Sequence, residues 1–343
     1  MLTKMILTAG SEKMKINCRQ FSKNTILAIQ NEIGRFDSRI LQFIVRSYLK
    51  TESNLRLTEK SYARNLLSRA LPLDPLDGEQ LPYTLAMYCS PKDISVLPYS
   101  LSAAVENLEI REVILMVAPE KLRPSIGIIS RALGIEGRVR LVTDEELLEK
   151  YFGNITNVLH GASKMQMLKI ASIFEIDDNF AMLLDSDTVI LKKRKWLTPG
   201  GICVQISQEY MHRHQNFINK NFPQLKSEGL GFVTHHQVTP VSEIKSELIP
   251  RHRLQPLALE MQKAFNDAPN WRDYYPSEWQ IFGQFMRNKK NLNANIVQFS
   301  NSGMPQSHIE HPEELIKESI EREVFRLKKN FPDVNSVSFH SYK

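Results

Sequence analysis

Asp185 and Asp187 stand one residue apart, directly after the apolar run Phe180-Ala-Met-Leu-Leu184 and before Thr188-Val-Ile-Leu191. In extended chain, residues i and i+2 point to one side, so the two carboxylates can reach a common point. Carboxylates crowded at a buried strand repel one another and are costly unless something neutralises them. Their hard oxygen donors suit Mn2+ or Mg2+, an ion that bridges a diphosphate and offsets charge on a leaving group. The bland alternative is an Asp pair that caps a strand-end loop.

Other residues able to do chemistry are scattered along the chain. Asp93 follows the apolar stretch from Tyr83 to Cys89, where a carboxylate either caps a turn or accepts hydrogen bonds from a ligand. Gln166 and Lys169 are three apart and share one helix face. His235 and His236 close a second apolar stretch, and by strand alternation at most one of them faces a cleft. Glu278 follows Ser277, an N-cap residue, so its charge falls in the first turn of a helix, where the dipole favours it. His308 and His311 lie in a Pro/Ser-rich loop and read as surface histidines rather than metal ligands.

These residues need a scaffold, and the pattern around them supplies one. From Thr25 to Leu49, Ile26, Ile29, Ile33, Phe36, Ile40 and Ile44 recur at helical spacing, and Thr58 caps a second helix through Ala70. Pro72, Pro75, Gly78 and Pro82 then mark a linker, so a helical extension over residues 1–80 precedes the main domain. Strands are expected at Tyr83–Cys89, Val113–Ala118, Arg138–Val142 and Phe180–Leu184, with helices at Pro98–Leu108, Pro124–Leu133 and Ala162–Ile176 between them. That alternation predicts the α/β class, a Rossmann-like, mainly parallel sheet flanked by helices over residues 81–300. In such sheets ligands bind at the carboxyl ends of the strands, where the acidic pair falls. Further strands are expected at Ile202–Ile206 and Gly231–Thr234, and helices at Val241–Leu248, Pro256–Asn266 and Glu278–Asn288. Residues 301–343 read as a helical tail built on Pro312–Asn330.

Ala181-Met-Leu-Leu-Asp-Ser-Asp-Thr-Val-Ile190 resembles the metal-binding strand of GT-A glycosyltransferases. More narrowly it is similar to a bacterial GT-A-like family of largely unknown function. Tyr88-Cys-Ser-Pro-Lys-Asp93, Gly161-Ala-Ser-Lys-Met-Gln166-Met-Leu-Lys169, Phe232-Val-Thr-His-His236 and Ser277-Glu-Trp-Gln-Ile-Phe-Gly283 resemble that family's other segments, in its order, over about residues 83 to 300. Trp279 departs from the tyrosine of the pattern, and Lys164-Met165 stand where arginine or glutamine is usual. The resemblance implies a nucleotide-sugar donor, a glycan or lipid-linked acceptor, and Mn2+ or Mg2+ on Asp185 and Asp187. It implies donor contacts from Asp93, Gln166, Lys169 and His235, with Glu278 and His236 on the acceptor side as catalytic groups.

Two other readings compete. Asp185-Ser-Asp187-Thr-Val189 also fits the first motif of haloacid-dehalogenase-type phosphatases, with Asp185 as nucleophile and Asp187 as general acid/base. That motif normally opens its domain, whereas about 100 residues of α/β pattern precede it here. The downstream aspartates Asp267, Asp273 and Asp333 are isolated from one another. A GT-A-shaped protein that binds a nucleotide sugar without turnover is the non-enzymatic alternative.

Bulk properties bound the rest. The 343 residues are 42% hydrophobic and 24% charged, an ordinary globular balance. Cys18, Cys89 and Cys203 are far apart, which argues against a disulfide framework or zinc site. No run reaches the roughly 18 apolar residues of a membrane span, so cytoplasmic residence is the expectation. The +6 net charge lies wholly in residues 1–50, which hold nine basic and three acidic residues. Such a segment suits peripheral contact with an anionic membrane at the inner face. No recognition motif accompanies the charge, so nucleic acid is not expected as a partner.

Overall fold

The computed structural model describes residues 76–207, 212–225, 231–267, 277–297, 301–305, 313–330 and 334–340. The chain divides into two units, Met1–Ala70 and Leu71–Lys343. The first, with its expected helices and basic segment, lies outside the described residues, as do Cys18, His308 and His311.

The second unit opens with alternating strands and helices: β1 (Tyr83–Tyr88), α1 (Leu97–Asn107), β2 (Ile110–Ala118), α2 (Arg123–Ala132), β3 (Val139–Thr143), α3 (Asp144–Phe152), α4 (Gly161–Ser172) and β4 (Phe180–Asp185). There follow β5 (Thr188–Ile190), β6 (Leu197–Thr198), β7 (Gly201–Gln205), α5 (His212–Asn221), β8 (His236–Pro240), α6 (Leu254–Asn266) and α7 (Glu278–Asn288). The last elements are β9 (Ala294–Val297), β10 (Asn301–Pro305), α8 (Glu313–Asn330) and β11 (Ser336–His340).

The main sheet has the order β3-β2-β1-β4-β8. Its first four strands are parallel, and β8 runs antiparallel to β4. Strands covered on both faces read as unbroken apolar runs. Accordingly Leu85 to Met87, Ile114 to Ala118 and Ala181 to Leu184 are all buried. The chain builds outward from β1 to β2 and β3, then crosses back so that β4 lies on the other side of β1. The carboxyl ends of β1 and β4 therefore flank a topological switch point, the place where open α/β sheets form a ligand crevice.

Among the described residues two further small sheets form, β10-β11-β5 and β6-β7-β9. In the first, β11 pairs antiparallel with β5, the strand that follows the acidic pair. Val189, Leu191, Val337, Phe339, Ile320 and Leu327 pack there as a satellite core.

The expected α/β alternation is present through β4, and differences gather after it. No strand forms at Gly231–Thr234; Gly231 makes a single bridge to Ser207, and the strand begins at His236. Residues 301–343, read as helical, also contain β10 and β11. Helix α3, not expected from the sequence, begins with Thr143-Asp-Glu-Glu146. Glu146 N–H donates to Thr143 Oγ1 at 3.1 Å and Thr143 N–H to Glu146 Oε2 at 2.7 Å, a complete capping box. Among the described residues no helix is long and apolar enough to cross a membrane.

Candidate active site

The site is built on the carboxyl edge of the sheet. Tyr88, the last residue of β1, lies beside Asp185, the last residue of β4. Asp185 is held on both carboxylate oxygens: Lys169 donates to Oδ1, and His235 Nδ1 lies 3.0 Å from Oδ2. Burial works to raise its pKa, but the Lys169 ammonium and His235 outweigh this and hold it well below the usual carboxylate range.

Lys169 comes from the last turn of α4 and also pairs with Glu278 of α7, Nζ to Oε1 2.9 Å. Its ammonium stands 5.2 Å from the centre of the Trp279 ring, within cation–π range. Burial alone would lower the lysine, yet the two facing carboxylates keep its pKa above the ordinary value. Glu278 is fully buried, and burial drives its pKa upward against the pull of Lys169. One turn before Lys169, Gln166 Oε1 accepts the backbone N–H of Glu278 at 3.0 Å. The shared face of Gln166 and Lys169 thus grips the first turn of α7.

His235 and His236 lie in different surroundings, but not by strand alternation, since β8 begins only at His236. His235 adopts φ 62°, a left-handed conformation unusual for a residue with a Cβ. Its carbonyl accepts Asp185 N–H at 2.9 Å while its ring meets the same residue's side chain. His236 lies inside, 1% exposed, with its ring edge-on to Trp196 and Nε2 3.2 Å from Gln205 Nε2. His236 is thus buried against Trp196 and Gln205 rather than exposed toward an acceptor, while His235 lies against Asp185. Burial, aided by Arg194, lowers the His236 pKa to about 3, so the ring is neutral at pH 7.

The loop carrying His235 is fixed by α7. Phe232 N–H donates to Gln280 Oε1 at 2.7 Å. A Cβ at Gly283 would lie 2.4 Å from the Cβ of Phe232, so glycine permits this approach. A glycine inside an amphipathic helix is a signal of close packing, although its partner is invisible in the sequence.

Asp187 and Asp93 complete the acidic edge. The Asp187 carbonyl accepts Phe339 N–H at 2.8 Å, which ties the acidic motif to β11. Asp93 is buried, and its Oδ2 accepts from Ser90 Oγ at 2.5 Å and from Ser186 Oγ at 3.5 Å. Burial, reinforced by the Asp187 charge, raises its pKa to about 6. The Cys89 thiol is pushed up to about 12 by burial and by Asp93, with Asp144 and Asp187 adding to the effect. It is an inert group inside an acidic field. Asp144, at the carboxyl end of β3, belongs to this edge and carried no expectation from the sequence.

Among the described residues no group of three or more His, Cys, Asp or Glu is placed to hold a metal ion by itself. Hard ions of the Mg2+ type commonly take one or two protein carboxylates and draw their remaining ligands from substrate phosphates and water. The edge suits that arrangement, since a cation would relieve the repulsion between Asp93 and the acidic pair. Asp93 also has a buried Oδ1 without a hydrogen-bond partner.

No family model matches the chain, and no curated protein matches it. Solved structures similar to it include mouse xyloside xylosyltransferase 1 in its apo form, at 14% identity and a TM-score of 0.45, covering 75% of this chain and 97% of that one. The galactosyltransferase LgtC, solved with donor and acceptor sugar analogs, is 12% identical, with 75% and 87% covered and a TM-score of 0.41. The glycosyltransferase GlyE of Streptococcus pneumoniae is 11% identical, with 76% and 55% covered and a TM-score of 0.42. What this site can do follows from its own side chains.

Proposed function

We propose that the chain is a metal-dependent glycosyltransferase of GT-A type, moving a sugar from a nucleotide-sugar donor to a glycan or lipid-linked acceptor. The observation that carries this reading is the position of Asp93, Asp185 and Asp187 at the switch point between β1 and β4. Acidic residues gathered at a ligand crevice, with one buried carboxylate oxygen left unpartnered, call for a cation and an anionic ligand together.

In this reading Asp185 and Asp187 hold Mn2+ or Mg2+. When bound, the ion neutralises charge on the departing nucleoside diphosphate. Lys169 keeps Asp185 ionised, and His235 fixes the direction of its carboxylate. Glu278 is a positioning residue that acts through Lys169, while His236 anchors the wall from which His235 projects. Gln166 sets the first turn of α7, and Asp93 accepts a hydrogen bond from the donor. The basic segment 1–50 provides charge for contact with an anionic membrane face, where a lipid-linked acceptor would be met.

The test is calorimetric titration of nucleotide sugars, with Mn2+ or with EDTA, into wild type and an Asp185→Ala/Asp187→Ala double variant. Metal-dependent binding by wild type and its loss in the variant is the expected result. Absence of donor binding, with Mg2+-dependent release of phosphate from small phosphoesters, would replace this reading with the phosphatase.

A further inference from the structure

Asp144 is the first residue of α3, directly beyond the carboxyl end of β3, and only 3% of its side chain is exposed. Its contacts are few and long. Tyr88 Oη lies 3.4 Å from Oδ2, and Lys164 Nζ lies 3.8 Å from the same oxygen. Its other oxygen, Oδ1, is buried with no hydrogen-bond partner. A buried, unsatisfied carboxylate oxygen is costly, and neither the helix cap nor the core requires one here. The capping bonds of α3 are made by Thr143 and Glu146, not by Asp144.

Its neighbours connect it to the acidic pair. Tyr88 is in register with Asp185 on one side and reaches Asp144 with its hydroxyl on the other. Lys164 and Lys169 project from the same helix, one to Asp144 and the other to Asp185. Asp144 directly follows β3 and Asp185 ends β4, three strand spacings or roughly 14 Å apart across the sheet, with Tyr88 of β1 between them. That span matches an extended nucleoside diphosphate whose phosphates lie at the acidic pair. Lys164, at the Asp144 end of this span, is one-third exposed.

We propose that Asp144 and Lys164 form the ribose subsite of the nucleotide, an inference that rests on the donor-binding reading above. A carboxylate with a free acceptor oxygen beside an ammonium suits a vicinal diol, whose hydroxyls donate to the first and accept from the second. An acid at the end of a neighbouring strand that receives ribose hydroxyls is a recurrent solution in open α/β sheets. Burial raises the Asp144 pKa to about 6, which is consistent with a group awaiting a donor.

The experiment is calorimetry, with Mn2+ present, of UDP, GDP, CDP and ADP, followed by the 2′-deoxy form of whichever binds and by inorganic pyrophosphate. Wild type is expected to prefer the ribonucleotide by about tenfold, the worth of one hydrogen bond to a charged group. Asp144→Asn should abolish that preference while leaving pyrophosphate affinity unchanged. Lys164→Met, at a partly exposed position, should weaken the ribonucleotide selectively and carries the test if the asparagine variant fails to fold. Retention of the full ribose preference in either folded variant would overturn the proposal and leave Asp144 a structural residue. If wild type binds pyrophosphate and a nucleotide but does not distinguish ribose from deoxyribose, the subsite fails and the donor reading survives. If wild type binds none of the nucleotides, both fail.

Discussion

His235 grips Asp185 at two points, its carbonyl accepting the Asp185 N–H at 2.9 Å and its Nδ1 standing 3.0 Å from Oδ2. The backbone contact is made from a φ of 62°, so the chain tolerates a left-handed histidine to aim that ring. A left-handed residue with a Cβ costs about 1–2 kcal/mol relative to its right-handed form, whereas glycine does not carry that penalty. His235→Gly and His235→Ala both remove the ring, but the glycine variant should be the more stable by about 1 kcal/mol. Urea-unfolding midpoints compare the two directly; equal midpoints would show that the conformation is unstrained.

Lys169 serves two acids, and its loss should be severe. Truncating one member of a buried charge cluster typically costs about 3–5 kcal/mol, because the remaining charges are left uncompensated. Lys169→Met is expected to fall in that range. Adding Asp185→Asn and Glu278→Gln should return part of the loss, since the three side chains act as a unit. Strict additivity in the unfolding free energies would refute the coupling.

Two glycines inside helices should respond in opposite directions. At Gly283 a new Cβ meets Phe232 at 2.4 Å, and forcing the elements apart should cost about 1–3 kcal/mol while displacing the His235 loop. At Gly127 in α2 nothing lies within 4 Å, and alanine should add about 0.5–1 kcal/mol of stability. Thermal melts of the two alanine variants check the signs.

His236 gives stability a definite pH dependence. Its folded pKa, about 3, lies below the ordinary 6.5, so its contribution is fully present above pH 6.5 and is lost as pH falls toward 3. The unfolded chain takes up a proton that the native ring refuses, at a slope of up to about 1.4 kcal/mol per pH unit. His236→Gln does not titrate, so the stability advantage of wild type over it should shrink between pH 7 and pH 5. Parallel stability curves for the two proteins would contradict this.

The C-terminal strand should matter to the site as much as to the fold. Phe339 is 1% exposed in the satellite core, and its N–H holds the Asp187 carbonyl. Phe339→Ala is expected to cost about 3–5 kcal/mol. Phe325 on α8 is 66% exposed, and its alanine variant should remain within about 0.5 kcal/mol of wild type. Chemical denaturation of both variants measures the contrast.

The sequence by itself determined what depends on neighbours a few residues away. Apolar runs and helical periods placed β1 to β4 and three of the four helices between them, α3 excepted, because those patterns are local. The same logic paired Gln166 with Lys169 on one helix face, whereas Asp187 falls in the turn after β4, beyond the reach of strand alternation. What decided the site, however, was contact between distant segments. Lys169 meets Glu278, Gly283 admits Phe232, and Phe339 reaches Asp187. None of these pairs has a spacing that a helix or strand period can report. Alternation predicts that at most one of the two histidines faces a cleft; the structure instead sets them apart by a left-handed turn at His235 before β8 begins at His236. Burial acts the same way: Glu278 in a first helical turn looks like an exposed terminal charge, and only the packing of α7 against α4 turns it into the hidden partner of Lys169.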